Sequence, residues 1–119
     1  MTKEQAKKLN CTVEAALALV GGKYKAILVW WLDHRATMRF SELQRAIPQA
    51  TAKMLVQQLR EREGDELVSR KVYPMVPPKT EYSLTDLGKS LVPIVKAMDK
   101  WGAAWFTRMG LPVPCDEEV

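Results

Sequence analysis

The sequence predicts a mainly α domain that carries one β-hairpin, an α+β class, and three observations predict it. Apolar side chains recur with helical period over residues 13–20, 52–63 and 87–109. Two runs, 68–73 and 80–84, alternate with period two on either side of a loop that holds three prolines. The 119 residues are 47% apolar and 27% charged with only 6 Gly and 7 Pro, which fits one folded unit and neither a disordered nor a low-complexity chain. A single domain is therefore expected over 1–119, with its core at about 11–106 and flexible ends at 1–10 and 110–119.

Taken in order, residues 3–8 read as a polar lead-in. Val13, Ala16, Leu17 and Val20 then stand at i, i+3, i+4 and i+7, one stripe of a helix that Thr12 caps and Gly21-Gly22 end. From residue 23 to about 32 the run Ile27-Leu28-Val29-Trp30-Trp31 leaves no polar face, so this helix is expected in the core and against a partner. Asp33-His34-Arg35 reads as a loop and Met38-Arg39-Phe40 as a very short strand. Ser41 and Gln44 have capping-box spacing and start a third helix, which Pro48 ends. Thr51 caps a fourth that runs to about Glu63, with Gly64 as its stop. Helix, tight connector, helix is the outline of a helix-turn-helix. After the hairpin, Thr85-Asp86 opens a last helix with an apolar seam through Leu87, Leu91, Ile94 or Val95, Met98, Trp101 or Gly102, Trp105 and Met109, kinked near 89–93 because Pro93 lacks an amide hydrogen.

The fourth helix carries the functional signal. At ~100° per residue, Leu55, Leu59 and Arg62 gather on one side while Lys53, Val56, Gln57 and Arg60 gather on the other. One side packs and the other faces outward with groups that suit DNA. Lys53 and Arg60 pair with phosphates or guanine edges, Gln57 with adenine, and Val56 with a thymine methyl. The charge agrees. Asp116, Glu117 and Glu118 crowd the end, so the residues before them carry 18 basic against 11 acidic side chains, and residues 1–60 alone hold ten against four. Such a balance favours an anionic partner, nucleic acid first. The loop Pro74-Met75-Val76-Pro77-Pro78-Lys79 is stiff with a cationic shoulder, suited to a DNA backbone or a minor groove. The seam with Trp101, Trp105, Phe106 and Met109 exceeds what one small domain covers, which predicts a dimer.

Other classes fit poorly. One histidine beside Asp33, no paired carboxylates, no phosphate loop and no metal-ligand cluster leave no catalytic constellation, so neither an enzyme nor a cofactor is expected. Cys11 and Cys115 are too few and too far apart for a disulfide scaffold or a zinc site. The longest apolar run, seven residues from Ala26 to Leu32, is far short of the roughly 20 of a membrane span. No helix joins a basic face to exposed aromatics for membrane-surface binding. Without a secretory signal, the cytoplasm is the expected compartment. The alternative to DNA binding is a protein-interaction module, which calls for an acidic or apolar outer face on the fourth helix.

Beyond composition and period, Cys11-Thr12-Val13-Glu14-Ala15, Gly21-Gly22-Lys23-Tyr24-Lys25, Arg39-Phe40-Ser41-Glu42-Leu43, Lys53-Met54-Leu55, Gln58-Leu59-Arg60, Val72-Tyr73-Pro74 with Val76-Pro77-Pro78, and Glu81-Tyr82-Ser83-Leu84-Thr85 resemble the HxlR-type transcriptional regulators over about 11–102. The resemblance implies a MarR-like winged helix-turn-helix, a homodimer formed through the first and last helices, a reading helix over 51–63 and a wing over 68–84. Double-stranded DNA is then the partner, with Arg39, Thr51, Lys53, Val56, Gln57, Arg60, Lys71 and Lys79 as candidate contacts. A thiol-reactive or small-molecule signal is the input such a regulator would take, and the sequence does not name the ligand. Several members of this family respond to oxidants or electrophiles through a cysteine at the place of Cys11, which here precedes a helix whose end amides attract negative charge. The chain departs from the family in three places. Thr12 stands for a proline, Met75 for an acidic wing residue, and Glu66 for the glycine of an Asp-Gly pair, so Gly64 is expected to take the left-handed backbone in its stead.

Overall fold

The computed structural model describes residues 1–22 and 24–114. In chain order the elements are α1 (Lys3–Lys7), α2 (Thr12–Val20), α3 (Lys25–Arg35), β1 (Thr37–Arg39), α4 (Phe40–Ala46), α5 (Ala52–Gly64), β2 (Val68–Tyr73), β3 (Lys79–Leu84), α6 (Asp86–Lys89) and α7 (Val92–Arg108). One antiparallel sheet has the order β1-β3-β2. The winged helix-turn-helix class is therefore present: two helices joined by a tight connector, followed by a hairpin whose inner strand also pairs with a short strand ahead of α4.

The polar lead-in holds a helix that periodicity did not reveal. The Thr2 hydroxyl accepts the Gln5 N–H at 3.1 Å while Gln5 Oε1 accepts the Thr2 N–H at 2.9 Å, a capping box that starts α1. Helix α2 begins at Thr12 itself, with Cys11 in the cap position and no side-chain cap bond, so the expected Thr12 cap is not made. Helix α3 runs on through the expected loop at 33–35. His34 stacks on Trp30 with ring centroids 3.8 Å apart and its Nδ1 lies 3.0 Å from the Trp30 carbonyl, which keeps that turn helical until Ala36 takes φ 63.

Strand β1 ends at Arg39 and Phe40 is the first residue of α4, a one-residue shift from the sequence expectation. The reciprocal bond at that helix start comes from Glu42, whose Oε1 accepts the Arg39 N–H at 2.8 Å, rather than from Ser41 and Gln44. Helix α5 starts as expected, the Thr51 hydroxyl accepting the Met54 N–H at 3.1 Å.

Its end does not follow expectation. Gly64 stays helical and Glu66 takes φ 62. The Leu67 N–H reaches the Arg62 carbonyl at 2.9 Å and the Glu66 N–H the Glu63 carbonyl at 3.0 Å, a Schellman closure with Glu66 where glycine is usual. Two contacts fix this register. The Arg62–Asp65 ion pair at 3.0 Å keeps the helix intact through Gly64, and the Thr85 hydroxyl donates to the Glu66 carbonyl at 2.6 Å.

The hairpin is as expected in extent but not in burial. On β2 only Val68 is buried and residues 69–72 are exposed, because this outer strand reaches past the core. On β3, Tyr82 and Leu84 face inward opposite Met38 and Val68. The kink expected around Pro93 is a full break at residues 90–91, which leaves α6 and α7 as separate helices and puts Pro93 in the first turn of α7, where no amide hydrogen is needed. Gly88 seats α6 against the sheet, since a Cβ there would lie 2.1 Å from the Leu67 carbonyl oxygen.

The core centres on Leu28, Val29 and Leu32 of α3, with Leu43, Leu55 and Leu59 from the helix-turn-helix. Two helices bury little. On α2 only Val20 is buried and Val13 and Leu17 are each 63% exposed. On α7 only Val95 is buried, and Trp101 is 72% exposed. Among the described residues no single helix is long and apolar enough to cross a membrane.

Candidate nucleic-acid interface

Helix α5 owes its orientation to three inward contacts and a pinned connector. Leu55, Leu59 and Arg62 are 0%, 1% and 1% exposed, and the Tyr24 hydroxyl donates to the Gln49 carbonyl at 3.0 Å across the turn. Lys53, Val56, Gln57 and Arg60 are exposed on the other side, as the helical period requires. Together with Phe40, Ala52 and Glu61 they line one open groove. Gln57 Nε2 lies 3.5 Å from Glu61 Oε2, a weak tether that leaves the amide available. Thr51 is spent on capping, though its side chain is exposed at the same end of the helix.

The other three expected contacts form a second group on the outer face of the sheet. Arg39 of β1 and Lys71 of β2 both lie opposite Glu81 of β3, and Lys79 is two residues back on the same face. Lys79 is a strand residue rather than a loop shoulder. Its Nζ is 3.2 Å from Glu81 Oε2, and both Lys71 Nζ and Lys79 Nζ lie 4.8 Å from the centre of the Tyr73 ring. The Tyr73 hydroxyl donates to Glu81 Oε1 at 2.7 Å. That bond holds the Glu81 carboxyl below its ordinary range against partial desolvation, with help from Lys79 and Arg39. Nothing in the sequence marks Tyr73 and Glu81 as partners, because cross-strand register decides that they meet. Phe40, expected in the short strand, is the first residue of α4 and walls the groove beside Lys53 and Gln57.

Beyond the hairpin neck, Pro74 to Pro78 project with Val76 98% exposed. An α5 side with Lys53 and Arg60 outward, a proline-stiffened hairpin loop and a sheet face with Arg39, Lys71 and Lys79 fit the groove and backbone of a duplex. Among the described residues no group of His, Cys, Asp and Glu could hold a metal ion. The sequence profile of the HxlR-like helix-turn-helix family matches residues 19–109.

The chain belongs to that family. It is 49% identical over 96 residues to YkvN, an HTH-type transcriptional regulator of Bacillus subtilis, covering 81% of this chain and 80% of that one. Among solved structures it is similar to the redox regulator HypR in its oxidized form, with 48% identity, a TM-score of 0.75 and coverage of 79% of this chain and 96% of that one. The reduced form of the transcriptional regulator YodB from B. subtilis shares 33% identity with a TM-score of 0.68, covering 79% of this chain and 92% of that one. As an HxlR-like protein the chain is a helix-turn-helix transcriptional regulator that acts on DNA. Cys11, the expected sensor, is exposed at the N-terminus of α2, and Cys115 lies outside the described residues.

Proposed function

We propose that the protein binds a pseudo-palindromic operator as a homodimer, with α5 read into the major groove and the wing laid along the flanking backbone. The observation that carries this reading is the composition of the exposed side of α5, Lys53, Val56, Gln57 and Arg60, opposite a fully buried side. An interaction module would show an acidic or apolar face there. Gln57 supplies base readout, while Arg39, Thr51, Lys71 and Lys79 supply positioning contacts to phosphates. The uncovered apolar residues of α2 and α7, including Val13, Leu17 and Trp101, support the second copy. A dyad then sets the operator's geometry, with half-site centres about 34 Å apart or a multiple of it.

Selection of bound fragments from genomic DNA, followed by footprinting, is expected to return a two-fold site of that spacing. Gln57→Ala should cost ~1–3 kcal/mol on this site and spare random DNA. A footprint without two-fold character, or an unchanged ratio of specific to random affinity in Gln57→Ala, refutes the reading.

A second reading concerns Cys11. Its thiol is exposed at the start of α2, the helix with the uncovered apolar side, and the similar proteins include one described as a redox regulator and one solved after diamide treatment. Modification there would alter the angle between the reading helices through the dimer contact. Diamide should lower operator affinity in the wild type and leave Cys11→Ser unaffected. Equal responses in both make Cys11 a bystander.

A further inference from the structure

The three-stranded sheet brings Arg39, Lys71 and Lys79 around a single carboxylate that an attraction to DNA does not call for. Glu81 occupies the central strand, directly opposite Arg39 on one side and Lys71 on the other. Its two oxygens are used separately: Oε1 accepts the Tyr73 hydroxyl at 2.7 Å and Oε2 meets Lys79 Nζ at 3.2 Å. Tyr73 and Lys79 are themselves the last paired residues before the proline loop. Glu81 thus ties both strands together at the neck of the wing. The Tyr73 ring in turn receives the ammonium groups of Lys71 and Lys79, each 4.8 Å from its centre. Four side chains from two strands hold one another in place, and Arg39 adds charge from the third.

An acid among phosphate-binding cations weakens binding by simple Coulomb repulsion, so its presence needs a gain that exceeds that loss. Lysine carries a long flexible stem, and fixing it before DNA arrives removes ordering cost from the binding step. Arg39 also precedes Phe40, which walls the groove beside Lys53 and Gln57, so this cluster adjoins the reading helix. Resting on the DNA-binding reading above, we propose that Glu81 is a positioning residue of the interface, holding Tyr73, Lys71 and Lys79 in the arrangement that meets the DNA backbone.

The test compares Glu81→Gln, Tyr73→Phe and their double variant on operator and random duplexes at fixed salt. Glutamine loses both the ion pair with Lys79 and the negative charge that draws in the Tyr73 hydroxyl, and phenylalanine keeps the ring but drops the hydroxyl that fixes the carboxylate. Each single variant is expected to bind operator about three- to tenfold more weakly, the range of one net hydrogen bond, even though Glu81→Gln adds a positive charge to the protein. The double variant should be little worse than either single one, since both break the same clamp. Unchanged urea midpoints separate this from loss of fold. Equal or tighter operator binding by Glu81→Gln, or additive losses in the double variant, overturns the proposal and makes Glu81 a repulsive bystander. If the wild type prefers no duplex over random DNA, the reading of α5 fails and this proposal falls with it. If Gln57→Ala loses discrimination while the Glu81 variants are neutral, only the positioning role fails.

Discussion

Arg62 completes the buried side of α5, yet it is a cation with 1% exposure. Its Nη2 donates to Asp65 Oδ2 at 3.0 Å, while Nε and Nη1 have no hydrogen-bond partner among the described residues. Asp65 is almost as buried and takes the N-terminal ammonium on its other oxygen. The one charge-assisted bond contributes about 1.5–3 kcal/mol, and each unpaired buried donor costs about 1–3 kcal/mol, so the pair is neutral to unfavourable as a whole. Breaking half of it is another matter. Asp65→Asn leaves a buried guanidinium without its closest carboxylate and should lower the unfolding free energy by about 3–5 kcal/mol. Arg62→Met should cost less, because the N-terminal ammonium still holds Asp65. The double change removes both charges and should return stability to within about 1 kcal/mol of wild type or above it. Urea unfolding followed by far-UV circular dichroism, at one protein concentration because a dimer's midpoint depends on it, measures all four. Additive losses, with the double variant worse than Asp65→Asn, would refute this account of the buried pair.

Four further outcomes are expected. Burial pushes the Asp65 carboxyl up, but hydrogen bonds from the N-terminal ammonium and Arg62 outweigh it and hold it below its ordinary range. The folded chain therefore releases that proton more readily than the unfolded one, so the contribution is complete above the unfolded value of about 3.9 and fades as pH falls through the folded one; the urea midpoint should drop below about pH 4, less steeply in Asp65→Asn. Glu66→Gly relieves the left-handed backbone at φ 62 and should raise stability by about 0.5–1 kcal/mol, whereas a loss in thermal melts would mean the Glu66 side chain matters more than its backbone. Lys79→Ala should weaken operator and random duplex alike and reduce the salt slope by about one unit, and an unchanged slope in a titration from low to moderate salt removes it from the backbone contacts. Trp101→Glu on the exposed side of α7 should yield a monomer by sedimentation, with operator affinity lost and the melting curve of the winged body retained; a persistent dimer moves the interface elsewhere.

What the sequence determined by itself were features set within one or two helical turns or one strand. The two sides of α5, the Thr51 cap and the extents of the hairpin strands all follow from spacing, because residues three and four apart share a helix face and residues two apart share a sheet face. The exposed set Lys53, Val56, Gln57 and Arg60 on α5 was legible for that reason, and motif resemblance supplied the wing and the family. Tertiary contacts decided the rest. His34 stays helical because Trp30 lies beneath it, Glu66 takes the strained backbone because Arg62 and Asp65 keep Gly64 in the helix, and α6 parts from α7 where Gly88 must sit against Leu67. The meeting of Glu81 with Tyr73, Lys79 and Arg39 depends on strand register across 42 residues from Arg39 to Glu81, a separation over which local periodicity carries no information. Sequence names the side chains that can touch DNA, and only the folded sheet and the end of α5 determine which neighbours hold them in place.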